Sequence, residues 1–401
     1  MRQDGRMWTD NLDINPEQWE ALFALRTVGR PLLVGGCIRD AQLGLRSKDV
    51  DVEVHDVRDV EAFIDVLRRF GKVDEVGQMF AVFKVAGMDI SLPRRETKSG
   101  VKHRDFDVVV DAGMSVEEAS ARRDFTINAM MFDPISREFI DPHHGARDRF
   151  YGVLRHTSDA FAEDPLRVLR GVQFAARFGF TFAPETAELC KSLSDQFETI
   201  HPDRIWTEIE KLITKGKFFE RGYWALKDSG WDVHFPTTRN NWRTAQKLRT
   251  TENMPLILAA MFSESFGDEL GVPHSIRKRA LTYMRMSEEI ADVINETTLS
   301  QKSVDIALRK IARRNLGFGL TDAARLVDCA SWTLECGASE SPVPLNINGD
   351  DIISLGVKPG PMVGVALTKI GVEVDTFGSE RPRDEMMNVA RVLLDNLIVK
   401  G

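Results

Sequence analysis

The stretch LLVGGCIRDAQLGLRSKDVDVEV, Leu32–Val54, decides the fold of the first half of the chain. An apolar β-rich run ends at Gly35 and Gly36, a helix is predicted to begin at once, and a second β-rich run follows. Adjacent glycines let backbone N–H groups approach a phosphate, and a helix start favours its negative charge. Arg39, one turn into the predicted helix, can face the same anion. The order strand, glycine turn, helix, strand therefore predicts a phosphate-binding turn.

Two acidic residues lie on the second predicted strand. Side chains alternate along a strand, so Asp49 and Asp51 project from one face, with Cα atoms roughly 6–7 Å apart. Such a pair suits Mg²⁺ and can hold two ions about 3.5–4 Å apart, one activating an attacking hydroxyl and one supporting a leaving pyrophosphate. A DxD pattern by itself is more often a strand end with solvated aspartates. Beside the glycine turn and Arg39, phosphate chemistry is the favoured interpretation.

The segment GGCIRDAQLGLRSKDVDV, residues 35–52, resembles the signature of the DNA polymerase beta superfamily of nucleotidyltransferases. Within it, the likeness is to the class II tRNA nucleotidyltransferase (CCA-adding) and bacterial poly(A) polymerase branch. The resemblance implies an α+β head with a mixed sheet, and it implies that Asp49 and Asp51 are the catalytic residues that bind two Mg²⁺ ions. The alternatives for a third acidic residue are Asp89, Asp105 and Asp107.

The segment RRDFTINAMMFD, residues 122–133, combines two arginines and an aspartate with an apolar run. Guanidinium groups suit a triphosphate, and a carboxylate can accept hydrogen bonds from ribose hydroxyls. Alone, the segment would more often be an ordinary capped helix start. It is similar to the second motif of the same family, and Arg122 is left open. The nucleotide contacts that the resemblance implies are Gly35, Gly36, Arg39, Arg123, Asp124 and Asn128.

The next family element usually reads DPxGGxxDL, whereas this chain has DPHHGARDR at residues 141–149. His144 therefore replaces a glycine, and Arg149 replaces an apolar residue. His143 and His144 could form a metal pair, but a local contact in the turn is the favoured interpretation.

The segment FAEDPLRVLRGVQFAARFGF, residues 161–180, carries the expected base selection. Asp164 and Arg167 are three residues apart, so a carboxylate that accepts hydrogen bonds and a guanidinium that donates them lie on one helix face. Cytosine and adenine both show an amino group beside an unprotonated ring nitrogen, while guanine and uracil show the reverse pattern. A surface ion pair is the alternative. The likeness to the family's EDxxR motif implies that Asp164 and Arg167 read CTP and ATP; the supporting residues that it implies are Glu163, Arg170 and Arg177.

From about Asp164 onward, apolar residues recur at helical spacing, which predicts an all-α neck, body and tail after the head. The predicted boundaries are residues 1–150 for the nucleotidyltransferase head, 151–236 for the neck, 237–340 for the body and 341–401 for a tail with probable tRNA contacts. HPDRIWTEIEKLITKG resembles the next family helix, in which Arg204 and Glu208 would brace the nucleotide-binding helices. We expect breaks at residues 228–238 and 358–364, which are rich in Gly and Pro.

The length, composition and net charge of the chain exclude few functions. The chain has 401 residues, 43% of them hydrophobic, and a net charge of −8, so RNA binding requires local basic patches. The candidate patches are Arg277, Lys278 and Arg279, and Arg309, Lys310, Arg313 and Arg314. The four scattered cysteines are interpreted as buried thiols. No signal segment or membrane span is evident, so we expect a cytoplasmic protein.

The resemblance, together with these patterns, implies template-independent addition of CMP and AMP from CTP and ATP to tRNA 3′ ends, with tRNA as partner. The alternatives are a poly(A) polymerase, a relative that adds only CC or only A, and an inactive RNA-binding module. The oligomeric state is left open.

Overall fold

In the computed structural model, the chain divides into two compact units, residues 1–234 and 235–401. The structure describes residues 8–47, 49–71, 82–98, 106–111, 113–262, 266, 268–296, 298–328, 344–377 and 381–398. The division falls inside the predicted break at residues 228–238. The other predicted domain boundaries, after residues 150 and 340, stay predictions.

A mixed six-stranded sheet forms the centre of the first unit, in the order β3-β4-β2-β1-β7-β8. The strands described are β1 (Arg30–Val34), β2 (Val50–His55), β3 (Val82–Val85), β4 (Met88–Ser91), β5 (Arg94–Lys98), β6 (Phe106–Val110), β7 (Met131–Asp133), β8 (Glu138–Ile140), β9 (Val153–Leu154) and β10 (Thr181–Phe182). β1 runs antiparallel to β2 and β7, and β2 runs parallel to β4. The predicted α+β head with a mixed sheet is confirmed.

Helices cover this sheet and continue beyond it. In the first unit they are α1 (Pro16–Leu25), α2 (Gly36–Gln42), α3 (Val60–Arg68), α4 (Val116–Ala121), α5 (Gly145–Tyr151), α6 (Leu166–Phe178), α7 (Pro184–Ser192), α8 (Pro202–Lys215) and α9 (Phe219–Asp228). α1 and α3 pack together on the apolar face of the sheet and share one core with it. A second, smaller apolar cluster forms around Leu32, Val34 and Met131, which alternate with the residues of the first core.

The alternation along β2 separates the two faces of the sheet. Val50, Val52 and Val54 are buried in the core with α1 and α3. Asp51 and Glu53 lie between them in sequence and therefore project from the opposite face. The predicted side-chain alternation is thus present, and it directs acidic groups away from the core.

Aromatic packing attaches α6 to the head. Phe125 contacts Phe161, Phe174 and Phe182 with ring centroids 5.4, 5.9 and 6.3 Å apart. A Cβ on Gly171 would lie 2.4 Å from the Phe182 ring, so only glycine permits this approach. The cluster fixes the helix that carries the predicted base-reading residues.

The described part of the second unit is helical, as predicted. Its helices are α10 (Arg239–Leu248), α11 (Met254–Met261), α12 (His274–Asn295), α13 (Gln301–Arg314), α14 (Leu320–Arg325), α15 (Gly349–Ser354), α16 (Pro361–Phe377) and α17 (Arg383–Ile398). The break predicted at residues 358–364 is wrong in its second half, because α16 begins at Pro361 and includes Gly364. Proline is well suited to a first helical position, where no N–H is needed.

Two smaller predictions can also be compared with the structure. Cys37 and Cys190 are buried free thiols, and burial raises their pKa values to about 11 and about 12. Cys329 and Cys336 lie outside the described residues. Of the helices described, none has the length and apolar character that a membrane span needs.

Candidate active site

The glycine turn brings a guanidinium and a carboxylate to one point. Gly35 has a φ of +72° and precedes α2, which begins at Gly36. A Cβ on Gly35 would lie 2.9 Å from Arg123 Nη1 and 3.7 Å from Asp51 Oδ2. A side chain at this position would displace the guanidinium and strain the backbone. The turn therefore lets Arg123 and Asp51 both approach the main chain at Gly35.

Asp51 lies among other charged side chains on the polar face of the sheet. It is directly opposite Asp89 in the parallel β2–β4 pair, and Asp89 is paired with Lys84 at 3.1 Å. Burial raises the pKa of Asp51; the positive charge of Arg123 opposes this, and the negative charges of Asp89 and Asp49 add to it. The structure thus brings Asp49, Asp51 and Asp89 within electrostatic reach of one another.

Asp89 is the candidate third acidic residue that the described part of the chain places beside Asp51. Asp105 lies outside the described residues, as does the side chain of Asp107. Asp49 is exposed just before β2, while Asp51 is half-buried within it. The predicted pair is therefore asymmetric in its exposure to solvent.

This donor set fits Mg²⁺. Within the described ranges, no three His, Cys, Asp or Glu side chains converge closely enough to hold an ion unaided. Mg²⁺ does not need such a cage, because it commonly takes one or two carboxylates together with water and substrate phosphates. Burial is the main cause of the raised pKa of Asp51, and Asp89 and Asp49 add negative charge, which a divalent cation would neutralise.

Arg39 lies inside the protein, with only 5% of its surface exposed. Nε and Nη2 donate to Asp40 Oδ1 at 2.8 and 2.7 Å, and Nη1 donates to Asn128 Oδ1 at 2.6 Å. Its guanidinium also lies 4.8 Å from the centre of the Phe178 ring. The structure therefore places Arg39 between α2, Asn128 and α6, and not on a surface open to a phosphate, as the sequence had suggested.

Asp124 and Asn128 belong to the same buried network. Asp124 Oδ2 accepts from Arg170 Nε and Nη2 at 2.8 and 2.7 Å, and Oδ1 accepts from Asn128 Nδ2 and the Phe125 N–H, both at 2.8 Å. Burial would raise the pKa of Asp124, but Arg170 and the hydrogen bonds outweigh it and lower the pKa. Both predicted nucleotide contacts thus have protein partners, and Asp124 holds the head against α6.

Arg177 and Glu208 extend this network at its two ends. Arg177 Nη2 donates to Asp40 Oδ2 at 3.0 Å, which links the end of α6 to α2. Glu208 on α8 lies 3.8 Å from Arg170 and accepts from Lys211 at 2.8 Å. These contacts join Arg170, Arg177 and Glu208 to one network, and the supporting and bracing roles stay predictions.

A cleft of about 320 Å³ opens beside this network. Its charged wall consists of Glu53, Arg94, Arg122, Arg123 and Arg167. Four guanidiniums against one carboxylate give a positive surface, which suits a triphosphate. Two arginines predicted at separate motifs, Arg123 and Arg167, therefore face one cleft.

Asp164 and Arg167 are each anchored by other groups. Asp164 Oδ1 accepts the Leu166 N–H at 3.2 Å, and Oδ2 accepts from Arg204 at 2.8 Å. Arg167 donates to the carbonyl oxygens of Ala160 and Arg122 at 2.7 and 2.8 Å. A guanidinium has five N–H donors and a carboxylate about four acceptor sites, so both keep capacity for a base.

Two further predicted residues lie nearby. Arg204 holds Asp164, which agrees with the bracing contact predicted for it. Glu163 is exposed in the turn before α6, and its charge acts on the pKa of Arg167 against the lowering effect of burial.

Comparisons with known proteins agree with this geometry. Residues 32–155 match the poly A polymerase head domain, and residues 179–240 match the probable RNA and SrmB-binding site of polymerase A. Together the two matched segments cover less than half of the chain. A multifunctional CCA protein of Xanthomonas oryzae pv. oryzae is 41% identical over 189 residues, which are 45% of this chain and 45% of that protein. A multifunctional CCA protein of Psychromonas ingrahamii is 43% identical over 183 residues, which are 44% of this chain and 43% of that protein. The matched region thus spans less than half of either relative.

Solved structures extend the likeness to the whole fold. The Thermotoga maritima CCA-adding enzyme complexed with tRNA has a TM-score of 0.64 at 20% identity, over 95% of this chain and 96% of that one. The Bacillus stearothermophilus CCA-adding enzyme in complex with CTP has a TM-score of 0.64 at 22% identity, over 95% of this chain and all of that one. The chain therefore has the fold of the CCA-adding enzymes.

His144 stands where the resembled motif usually has a glycine, and the structure shows the consequence. His144 has a φ of +59°, the left-handed conformation that a glycine adopts without strain. His143 Nε2 lies 3.0 Å from Ser120 Oγ on α4, so its contact is with a distant helix and not with the local turn that the sequence had suggested. The adjacent Gly145 is required, because a Cβ there would lie 2.1 Å from the Thr126 carbonyl oxygen.

The basic patches predicted for RNA binding are largely engaged in contacts within the second unit of the chain. Arg313 is buried and donates to Asp375 from Nε and Nη2 at 2.5 and 2.8 Å, so its position contradicts the predicted RNA contact. Arg277 pairs with Asp268. Arg279 lies over the Phe318 ring, and Arg314 pairs with Glu289. Lys278 is exposed, and Arg309 and Lys310 are half-buried.

The sequence patterns did not single out two groups of residues. Glu53 continues the DxD alternation into the cleft, and this period-2 pattern was a usable signal. Arg239, Arg243 and Lys247 are spaced by four on α10 and all exposed, which makes a basic ridge. Lys247 pairs with Asp328 at 3.4 Å, and both line an open cleft of about 490 Å³ with Arg325.

Proposed function

We propose that this protein adds CMP and AMP, from CTP and ATP, to the 3′ ends of tRNA. The observation that carries the proposal is the approach of Asp51 and Arg123 to the glycine turn, with Asp89 opposite Asp51 on β4, beside a cleft that Arg123 and Arg167 line. Metal-binding carboxylates, a triphosphate-binding wall and a base-reading arginine are the parts that nucleotidyl transfer without a nucleic-acid template requires. The fold shared with CCA-adding enzymes and the similarity to multifunctional CCA proteins support the same conclusion.

Asp49 and Asp51, with Asp89 beside them, would hold two Mg²⁺ ions. When bound, these ions activate the attacking 3′ hydroxyl and stabilise the leaving pyrophosphate. Arg123 and Arg122 orient the triphosphate at the cleft wall. Arg39, Asp124 and Asn128 act indirectly, because their hydrogen bonds keep the head and α6 in fixed register.

Base selection would use the capacity that Asp164 and Arg167 retain. A carboxylate oxygen accepts from the exocyclic amino group of cytosine or adenine, and a guanidinium N–H donates to the neighbouring ring nitrogen. Guanine and uracil would set an N–H against the guanidinium and a carbonyl against the carboxylate. Since both groups are already anchored, they cannot turn away, and the unpaired contacts make the wrong base costly.

The basic ridge of Arg239, Arg243 and Lys247 is the surface that we assign to the tRNA backbone. Contacts of this kind place an RNA without reading its sequence. The match of residues 179–240 to a probable RNA-binding region supports the assignment, since it extends to the start of α10. We further infer that the protein works in the cytoplasm, where it would meet its tRNA substrate.

A poly(A) polymerase is the second candidate, because the head domain match is to that family. One experiment separates the candidates: purified protein and Mg²⁺ are incubated with tRNA ending at the discriminator base, with each nucleotide alone and with CTP plus ATP. We expect three added nucleotides, two from CTP and one from ATP. Long tails with ATP alone would indicate poly(A) polymerase, addition of CC or A alone would indicate a partial enzyme, and no extension would contradict the proposal.

A further inference from the structure

Glu53 and His55 lie in the candidate active site without a role in the chemistry described so far. Glu53 follows Asp51 on the polar face of β2, and only 12% of its side chain is exposed. His55 is 1% exposed, and its Nε2 lies 2.8 Å from Glu53 Oε1. Burying two polar groups together requires compensation, which a hydrogen bond to an ionised carboxylate provides.

The second oxygen of Glu53 faces Arg123. Glu53 Oε2 and Arg123 Nη2 are 3.6 Å apart. Burial would raise the pKa of Glu53, but the hydrogen bond with His55 and the charge of Arg123 outweigh it and lower the pKa, so the carboxylate is ionised. His55, Glu53 and Arg123 thus form a chain that ends at the guanidinium above Gly35.

Arg123 also has an unused donor. Its Nε is buried and has no hydrogen-bond partner among the described residues, while Nη1 lies over the glycine turn. Asp51 is the competing carboxylate, because both it and Arg123 approach the same point at Gly35. A guanidinium that turned to Asp51 would neutralise a proposed metal ligand and leave the phosphate position.

We propose that Glu53, held by His55, is a positioning residue that fixes Arg123 over the glycine turn, so that its guanidinium meets the triphosphate and leaves Asp51 to the metal. This inference rests on the proposed function. On this proposal Glu53 strengthens phosphate binding through Arg123, although the negative charge of Glu53 itself repels a phosphate. Positioning of Arg123 and Coulomb repulsion by Glu53 therefore change CTP affinity in opposite directions. If positioning dominates, removing the charge of Glu53 lowers CTP affinity; if repulsion dominates, removing it raises CTP affinity.

The test measures equilibrium binding of CTP, CMP and cytidine to the full chain without RNA. In Glu53→Gln, which keeps the side-chain shape and removes the charge, we expect CTP affinity to fall about tenfold, as for loss of one charge-assisted contact. Cytidine affinity should stay unchanged and CMP affinity should change little. His55→Gln should produce a smaller loss in the same direction. Glu210→Gln, an exposed change on α8, is the charge-matched control.

A double-mutant cycle shows whether Glu53 acts through Arg123. In an Arg123→Gln background, Glu53→Gln should cost no further CTP affinity. Tighter CTP binding by Glu53→Gln, an equal loss for cytidine and CTP, or full additivity with Arg123→Gln would overturn the inference. If Glu53→Gln does not fold, the His55→Gln series decides by the same criteria. Failure of the parent protein to bind CTP would contradict the proposed function itself.

Discussion

Asp124→Ala should destabilise the first unit by about 3–5 kcal/mol, the usual cost of removing one partner from a buried ion pair. The change leaves Arg170, the Asn128 amide and the Phe125 N–H without their acceptor. Arg170 is 34% exposed and regains some hydration, so the lower end of the range is expected. Against a total stability of about 5–15 kcal/mol, this is a large fraction.

Urea denaturation followed by circular dichroism at pH 7 measures the loss directly. The matched control is Asp65→Ala, which removes the exposed pair with Arg68 at 2.8 Å and should cost less than about 1 kcal/mol. The pKa of Asp124 is lowered in the folded protein, so its contribution is complete above its unfolded pKa, near pH 4, and disappears as pH falls through the folded value. A loss for Asp124→Ala no larger than the control, or a difference unchanged below pH 4, would refute the reasoning.

Three other predictions follow from the structure. Asp164→Ala should admit GTP and UTP, because it removes the acceptor that rejects their carbonyl groups; single-turnover incorporation of each nucleotide measures this, and parental selectivity would contradict it. His144→Gly should stabilise the fold by up to about 1 kcal/mol, since relief of a left-handed residue, about 1–2 kcal/mol, exceeds the backbone entropy cost of glycine, about 0.5–1 kcal/mol; a lower melting temperature would count against it. Replacing Arg243 and Lys247 together by alanine should weaken tRNA binding and lower its salt slope by about 2, whereas an unchanged slope in filter binding would remove the ridge from the RNA surface.

Several features followed from local patterns in the sequence. Period-2 alternation placed Asp51 on the polar face of β2, and helical spacing predicted helices from about Asp164 onward, where the structure has Leu166–Phe178 and Pro202–Lys215. These patterns are reliable because neighbouring residues decide them, through the glycine turn, the capping proline and the apolar stripe of each element. The resemblance of the motifs also indicated the family.

The sequence did not show which charged side chains face the cleft and which support it. Arg39 and Arg313 look like exposed phosphate ligands in sequence, yet both are buried beside a carboxylate or amide acceptor. Conversely, Glu53 looks like one more strand residue, yet it faces Arg123 in the candidate site. Composition and spacing are the same in either case, because an arginine has the same local signature whatever it pairs with.

By itself, the sequence determined the order of strands and helices, the glycine turn and the acidic face of β2, since each depends on residues close together in the chain. Only the tertiary structure decided the partners of the charges. The contacts Arg170–Asp124, Arg39–Asn128 and Arg177–Asp40 join residues 46, 89 and 137 positions apart. Such pairs form when α6 packs against the head, because burial makes each guanidinium take the nearest acceptor.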